Sequence, residues 1–460
     1  MLPCQSDQTA SMRDPAMSEL TALSSLLDPV IGPWLKGFPA THAPLLRSQI
    51  GDQGWQVMRG DLPMPLAVIR KSRLEHNLGW MQRFVEGHGI ALAPHGKTTL
   101  SPQLFAAQLQ AGAWGITVAN VAQAALAFAS GARQVLIANQ VLNSIELQGL
   151  AALFGESGSA ARRAPFLLDS FEQLQAIETA VRVHGLSPFE VLLELGIKGG
   201  RTGVRSVEDA FLLARAARES PAVKLVGVEC YEGLWTRGED DDADRAVVEG
   251  LLGRSIDLAR RIDTELGFEA PTILISAGGS AVFDLVAPWL HPELSQPVQG
   301  LLRSGCYVTH DQGRYSRLVA RVNRRLGIDC QSGLQAALEV WATVQSMPEP
   351  GLAILSVGRR DVSTDLDLPQ PVAWCARGMD RPAAAPAGWA ITGLNDQHAY
   401  LKRTGDAGHT SAVHAPYQPL QVGDRIGLGL SHPCTTFDKW RWIAVVDEDY
   451  RVVDAVVTWF

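Results

Sequence analysis

Eight short apolar runs between residues 90 and 308 restrict the fold of this chain more than any other feature of its sequence. Continuous apolar runs of this length are typical of strands that are buried on both faces of a parallel sheet. Most segments between them are amphipathic and rich in Ala, Leu and Glu, as helices are. The alternation predicts an α/β fold, and the count of eight favours a closed (β/α)8 barrel over an open doubly wound sheet. The runs read IALAP, GITVAN, QVLIAN, PFLLD, FEVLLEL, LVGVECY, TILISAGG and GLLRSGCY.

The pattern changes beyond about residue 325, where strands are predicted without helices between them. Turns rich in Pro, Gly and Asp separate these strands, which read ALEVWATVQSM, GLAILSV, GWAITGL, GDRIGLGL, RWIAVVD and RVVDAVVTWF. We therefore predict an N-terminal extension over 1–60, the barrel over 61–325 and a β domain over 326–460. The first 17 residues of the extension are expected to be poorly ordered, and its remainder to be helical.

Charge and cysteine content indicate small-molecule chemistry inside the cell. A net charge of −8 and the lack of a Lys/Arg-rich stripe argue against binding to nucleic acid or to anionic membranes. The six cysteines include no CxxC pair and do not resemble a secreted disulfide framework. We see no signal peptide and no run of 18 apolar residues, so neither secretion nor a membrane span is expected. These features predict a cytoplasmic protein.

A lysine stands at the expected mouth of the barrel, in the segment PHGKT at 94–98, directly after the first strand. Active sites of such barrels lie at the C-terminal ends of the strands, and the chain has only seven lysines. A lysine that forms a Schiff base must be partly desolvated, so that its amine is nucleophilic near neutral pH. Lys97 is therefore the candidate, and Lys198, after the fifth strand, is its competitor.

Four other strand ends carry residues that suit an anionic cofactor. Arg201, after the fifth strand, is suited to a phenolate or carboxylate oxygen, and Tyr231 follows the sixth strand. The seventh strand ends in Gly278-Gly279-Ser280, a turn of small residues that can offer backbone N–H groups to a phosphate. Phosphate sites in barrels favour the loops after strands seven and eight, and the eighth strand supplies Tyr307.

His432 and Cys434 follow the predicted strand GDRIGLGL of the β domain. Side chains two residues apart lie on the same side of an extended segment, so both can bind one borderline-soft cation such as zinc. Two protein ligands leave coordination positions open for water or substrate, which is what Lewis-acid chemistry requires.

Taken in order along the chain, these motifs resemble the D-serine dehydratase/D-threonine aldolase family, from about Leu66 to the C-terminus. The strongest parts are PHGKT and GAWGITVANVAQAALAFASGARQVLIAN, and shorter matches are GRTG, CYEG, GGS, SGCYV and SHPC. The family consists of pyridoxal 5'-phosphate (PLP) enzymes of the alanine racemase-like fold, a (β/α)8 barrel followed by a β domain. The resemblance also implies a homodimer, because the β domain commonly completes the site of the other subunit.

The resemblance implies a role for each candidate residue. Lys97 is similar to the Schiff-base lysine that also takes the α-proton, and Arg201 to the arginine near the phenolic oxygen of PLP. Tyr231 matches an active-site tyrosine beside the cofactor, and Tyr307 lies where the family contacts the cofactor end of the barrel. Gly278, Gly279 and Ser280 correspond to the phosphate cup. His432 and Cys434 match the metal ligands of the dehydratase branch, with zinc expected and manganese or magnesium as alternatives.

The implied reaction is β-elimination from a D-serine-like β-hydroxy-D-amino acid, which gives an α-keto acid and ammonia. A retro-aldol cleavage to glycine and an aldehyde is the alternative; the second metal ligand of that branch is usually Asp, so Cys434 favours elimination. A racemase would need a second base, for which Tyr400 and Tyr417 are available. A non-catalytic PLP-binding protein is a fourth alternative, although relatives of that kind lack a β domain.

Two parts of the sequence depart from the family pattern. Arg70-Lys71 replaces the usual acidic residue after LAVI at 66–69, a run that fits a first strand of either domain. Asn395-Asp396-Gln397-His398 resembles a family segment that often reads Glu-Glu-His. These departures concern the choice of substrate more than that of cofactor.

Overall fold

The structure is a computed structural model that describes residues 25–154, 162–236, 238, 240–329, 331–404 and 420–460. The predicted disorder of the first 17 residues and the candidate base Tyr417 fall outside these ranges.

All eight predicted barrel strands are present and form one parallel sheet, which confirms the α/β prediction. Each strand pairs with its neighbours in sequence, and the first also pairs with the eighth. A parallel bridge between His95 and Thr117 joins the first strand to the second, so the sheet closes on itself. The strands are Ala91–Leu92, Ile116–Val118, Val135–Gln140, Phe166–Leu168, Phe189–Leu195, Val223–Cys230, Ile273–Ala277 and Val298–Leu302.

Helices cover the outside of the barrel, and the helix Phe171–His184 begins and ends where the Ser and Gly signals in the sequence predict. Ser170 Oγ accepts a hydrogen bond from the backbone N–H of Gln173 (3.2 Å) at the start of one helix, and Gly185 ends it with a left-handed φ of 64°. The helices of the barrel part are Lys71–Gly87, Pro102–Gln110, Val121–Ala129, Ser144–Phe154, Phe171–His184, Val207–Glu219, Asp241–Glu265, Phe283–Val286 and Arg314–Leu326. None of the described helices is both long enough and apolar enough to cross a membrane.

The C-terminal part is an antiparallel β domain that contains all six predicted strands. Three further strands lie among them: Gln370–Cys375, Ala383–Ala384 and Ala399–Arg403. The strands that the sequence predicted have the bounds Leu338–Glu349, Leu352–Leu355, Trp389–Leu394, Arg425–Gly429, Trp442–Val446 and Val452–Val457, and a one-turn helix, Cys434–Phe437, follows the fourth of these.

The strand Leu66–Arg70 settles which sheet LAVI joins. It pairs antiparallel with Leu338–Glu349 and parallel with Trp442–Val446, so it belongs to the β-domain sheet and not to the barrel. The division at residues 60 and 325 stays a prediction for the domains, but this pairing places residues 66–70 with the C-terminal strands.

The prediction of a helical lead-in was wrong for residues 28–60. This segment forms a two-stranded ribbon, Val30–Ile31 with Leu45–Leu46, and three single-turn 3-10 helices, Arg47–Gln49, Gly51–Gln53 and Val57–Arg59. Closely spaced glycines and prolines prevent a longer helix here. The segment instead packs on the β domain, where the Phe38 ring lies 6.0 Å from that of Trp442.

A buried polar cluster ties the N-terminal strand to the β domain. Arg70, which is 6% exposed, donates through Nη1 to the hydroxyl of Tyr450 (2.9 Å). That hydroxyl donates to Glu339 Oε2 (2.8 Å), which also accepts from Trp341 Nε1 (3.1 Å). The unexpected Arg70 is therefore a structural residue, since its charge is balanced across the junction between two strands.

We expect Tyr450→Phe to destabilise the protein by about 1–3 kcal/mol, because the change leaves a buried guanidinium and a buried carboxylate each short of a partner. Tyr400→Phe is the matched control, since among the described residues the Tyr400 hydroxyl accepts a hydrogen bond from the exposed Asn395 amide (3.0 Å), and its loss should change stability by less than about 0.5 kcal/mol. Urea unfolding measures both variants. Equal losses in the two would contradict the role given to this cluster.

Candidate active site

A cavity of about 400 Å³ lies at the C-terminal ends of the barrel strands, between the barrel and the β domain. Both parts of the chain contribute to its wall. From the barrel come His95, Lys97, Thr98, Glu194, Arg201, Glu229, Tyr231, Gly278, Ser280, Arg303, Cys306, Asp311, Arg314 and Tyr315, and from the β domain come Leu366, Ser431, His432, Pro433 and Cys434, among others.

Lys97 lies in the single-turn helix Gly96–Thr98 that follows the first barrel strand. Gly96 permits this turn, because a Cβ there would come within 2.7 Å of the Phe105 ring and 2.8 Å of Ile116. The surrounding protein desolvates the ammonium group and lowers the pKa of Lys97; the nearby Arg201 also lowers it, while Cys434 opposes the shift. Lys198, the competing lysine, is not part of the cavity wall.

Arg201 and Tyr231, which follow strands five and six, both line the cavity and lie beside each other. The Arg201 guanidinium carbon lies 5.2 Å from the centre of the Tyr231 ring. Burial raises the pKa of Tyr231, and Glu232 raises it further, so its phenol stays protonated. The pair offers a cation and a hydroxyl to an anionic ligand.

Only part of the predicted phosphate-binding turn, Gly278-Gly279-Ser280, offers polar groups to the cavity. Ser280 and Gly278 line the cavity, but the backbone N–H groups of Gly278 (3.2 Å) and Gly279 (2.5 Å) donate to the buried carboxylate of Glu232. Gly279 has a φ of 73°, and a Cβ there would overlap Leu302 Cδ1. These two glycines therefore shape a tight turn whose amide donors are already used, and Ser280 is the member of the predicted set that offers a polar side chain to the cavity.

Tyr307, like Gly279, is a predicted site residue that does not line the cavity. Its ring is 1% exposed and its hydroxyl accepts a hydrogen bond from Gln108 Nε2 (3.2 Å). It lies in the single-turn helix Cys306–Val308, whose neighbouring residue Cys306 faces the cavity instead. Which of these two adjacent side chains faces the cavity depends on the geometry of the turn, and the sequence pattern does not predict that geometry.

His432 and Cys434 face the cavity from the β domain. His432 Nδ1 lies 2.5 Å from Asp365 Oδ2, and the Thr435 hydroxyl donates to the other oxygen of that carboxylate (2.8 Å). The hydrogen bond with Cys434 raises the pKa of His432 to about 9, and Asp365 raises it too, against the effect of burial. The pKa of the Cys434 thiol is well below its usual value, first because of its hydrogen bond with Cys306.

Several cavity residues were missed by sequence reasoning. Glu229 forms a buried ion pair with Arg303, and burial nevertheless raises the pKa of Glu229 to about 8. Glu194 accepts from the Thr202 hydroxyl (2.7 Å), and Asp311 caps the start of the helix at Arg314. Glu194, Glu229 and Arg303 interrupt otherwise apolar strand runs, which is the signal that could have identified them.

Unpartnered polar atoms indicate that the cavity is built to receive a polar ligand. His95 Nδ1, Glu229 Oε2, Thr236 Oγ1 and the Tyr315 hydroxyl are buried and have no hydrogen-bond partner among the described residues. With the lysine, Arg201 and Ser280, this donor set fits an anionic aromatic cofactor of the PLP type. For a metal, His432 and Cys434 supply a nitrogen and a sulfur ligand. No group of three His, Cys, Asp or Glu side chains within the described ranges already encloses a metal position.

Comparisons with known proteins agree with this architecture. A family model described as "Putative serine dehydratase domain" matches residues 337–446. The D-threonine aldolase of Arthrobacter sp. is 27% identical over 382 residues, which are 83% of this chain and 88% of that protein. The D-threo-3-hydroxyaspartate dehydratase of Delftia sp. (strain HT23) is 28% identical over 383 residues, which are 82% and 92% of the two chains.

Solved structures share the fold. A cysteine-to-alanine mutant of D-threo-3-hydroxyaspartate dehydratase, solved in a metal-free form, superposes with a TM-score of 0.65 at 25% identity and covers 88% of this chain and 99% of that one. Alanine racemases have the same two-part fold at much lower identity. The chain is therefore similar to members of the D-serine dehydratase/D-threonine aldolase family over most of its length, and its fold is alanine racemase-like.

Proposed function

We propose that this protein is a PLP- and metal-dependent lyase that converts a β-hydroxy-D-amino acid into an α-keto acid and ammonia. The observation that carries the proposal is that Lys97 of the barrel and the pair His432 and Cys434 of the β domain line one cavity. A cofactor site and a metal site that share a single substrate pocket suit a reaction in which bonds at Cα and at the β-oxygen both change.

Four side chains from the barrel would hold the cofactor. Members of the family are PLP enzymes, and Lys97 Nζ would carry the cofactor covalently. Arg201 would face its phenolic oxygen, Tyr231 would lie beside its ring, and Ser280 would contact its phosphate. Bound PLP supplies an electron sink for the negative charge that develops at Cα.

Lys97 would also move the α-proton. Its lowered pKa increases the fraction of neutral amine near neutral pH, which is the form that can accept a proton. Arg201 and Arg303 line the same cavity and disfavour a further positive charge, so they add to the effect of burial on the pKa of Lys97. Lys97 can thus act first as the attachment point and then as the base.

The β-domain residues of the cavity would act on the β-hydroxyl. A divalent metal supplies a Lewis acid, which makes a poor leaving group easier to expel. Asp365 holds the Nδ1 side of the His432 imidazole, so the other ring nitrogen is the one available as a ligand. Cys434 would be the second ligand, and zinc suits this nitrogen–sulfur pair better than magnesium does.

Retro-aldol cleavage is the second candidate, and the similarity to the D-threonine aldolase of Arthrobacter favours it. Cys434 favours elimination, since Asp is the usual ligand of the aldolase branch. A racemase is less well supported, because Tyr400 does not line the cavity and Tyr417 is outside the described residues.

The homodimer and the cytoplasmic location remain predictions. Leu366 lines the cavity and is 46% exposed, and Leu368 nearby is 40% exposed. Apolar side chains at a cavity rim are what a second subunit would cover, which supports the proposal of a dimer.

The reaction is tested by product analysis of purified, PLP-loaded protein with D-serine, D-threonine and D-threo-3-hydroxyaspartate, with the L-isomers as controls. We expect a keto acid and ammonia from at least one D-isomer, and none from its L-isomer. Cys434→Asp should retain metal and form some glycine, since it installs the ligand of the other branch. Glycine and aldehyde as the main products of the unmodified protein would establish the aldolase instead.

The cofactor site is tested by borohydride reduction of the holoenzyme followed by peptide mapping. We expect the pyridoxyl group on Lys97, because it is the lysine at the cavity wall whose ammonium is desolvated. Lys198→Ala is the matched control and should be labelled as the unmodified protein is, whereas Lys97→Ala should not be labelled. A pyridoxyl group on Lys198 would overturn the site assignment.

A further inference from the structure

Cys306 of the barrel and Cys434 of the β domain bring two sulfur atoms together at the cavity. Cys306 begins the single-turn helix after the last barrel strand, and Cys434 begins the short helix Cys434–Phe437 of the β domain. Their Sγ atoms are 3.6 Å apart, and both residues line the cavity. Residues separated by 128 positions in sequence thus form one thiol pair at the place where the metal is expected.

The separation of these sulfurs fits two ligands of one tetrahedral metal. With a usual Zn–S distance of about 2.3 Å, sulfurs 3.6 Å apart subtend an angle of about 103° at the metal. An ideal tetrahedron at the same bond length requires a separation of about 3.8 Å. The thiols therefore need to move apart by only a few tenths of an ångström to accept a zinc ion between them.

The imidazole of His432 approaches this thiol pair from the side of Cys434. Its Nδ1 is bonded to Asp365, and this kind of carboxylate contact orients metal-bound histidines. Because the three side chains do not yet enclose one point, side-chain rotation must bring His432 and the sulfurs together. Thr98, whose hydroxyl lies 3.4 Å from Cys434 Sγ, is a barrel residue that contacts the same group.

We propose that Cys306 is a third protein ligand of the metal, together with His432 and Cys434. This inference rests on the metal site of the proposed function and extends it. Two thiolates and one imidazole neutralise a divalent cation and select zinc, cobalt or cadmium over magnesium and manganese. One coordination position stays open, which is enough for a substrate oxygen.

The ligand count is measured with Co²⁺ alone, added to metal-stripped protein that is kept reduced. The intensity of the thiolate-to-cobalt absorption in the near ultraviolet reports the number of bound thiolates. We expect a two-thiolate band in the unmodified protein, about half of it in Cys306→Ser and in Cys434→Ser, and none in the double variant. Cys375→Ser, which changes a buried β-domain thiol whose hydrogen bonds within the described residues go to backbone carbonyls, is the matched control and should keep the full band.

Zinc affinity gives a second readout by competition with a chelator. Cys306→Ser should weaken zinc binding by at least roughly 10-fold, the scale on which loss of even an outer-sphere partner acts. In the unmodified protein, bound zinc should protect both Cys306 and Cys434 from alkylation by iodoacetamide, which does not depend on any variant folding.

A one-thiolate band that Cys306→Ser leaves unchanged, or alkylation of Cys306 in the zinc-loaded protein, would overturn this inference and leave the proposed function intact. A two-thiolate band in a protein that releases neither keto acid nor glycine from β-hydroxy-D-amino acids would support the inference and contradict the proposed function. Absence of any cobalt band would overturn both metal claims.

Discussion

The contact between the last barrel loop and residues 430–434 of the β domain is the constraint on which the candidate site depends. The backbone N–H of Gln312 donates to the carbonyl of Leu430 (2.9 Å), and the Leu430 N–H donates back to Gln312 Oε1 (3.1 Å). The N–H of Arg314 donates to Ser431 Oγ (3.1 Å). Because His432 and Cys434 follow within four residues, these bonds determine where the proposed metal ligands lie relative to the barrel mouth.

The charges in the cavity are arranged so that each wall has its own electrostatic character. On the barrel side, burial lowers the pKa of Lys97 and Arg201 and Arg303 lower it further, while Glu229 pairs with Arg303. On the β-domain side, the thiol of Cys434 and the imidazole of His432 support each other's charged forms. The site therefore has a wall suited to proton transfer at carbon and a wall suited to a cation and an oxygen.

The sequence was sufficient to predict the barrel, because a parallel strand that is buried on both faces appears in the sequence as a continuous apolar run, and eight such runs are present. It was also sufficient to bring Lys97, Arg201, Tyr231 and Ser280 to one cavity, since strand ends of a barrel meet at one rim, while their roles remain predictions. It was not sufficient to predict which side chains and backbone amides face the cavity where this depends on the geometry of a single turn.

Tyr307 and Cys306 are adjacent, yet only Cys306 faces the cavity, and the amides of Gly278 and Gly279 point to Glu232.

Contacts between segments that are distant in sequence were also not predicted. Nothing in the local pattern pairs Cys306 with Cys434, which meet where the barrel packs on the β domain, or joins Arg70 to Tyr450, which meet where the strand Leu66–Arg70 joins the β-domain sheet. The N-terminal residues 28–60 show the converse error, where composition suggested a helix but closely spaced Gly and Pro residues prevent one.

The central claim is that Lys97 acts at Cα and that His432 and Cys434 act at the β-oxygen, so the two steps can be separated. The most direct measurement follows the substrate α-proton by NMR in deuterated water, with PLP-loaded protein stripped of metal by a chelator. The account predicts that the metal-free protein exchanges the α-proton for deuterium but releases no keto acid, and that added zinc restores release. Full release of keto acid without metal, or loss of exchange while PLP stays bound, would contradict it.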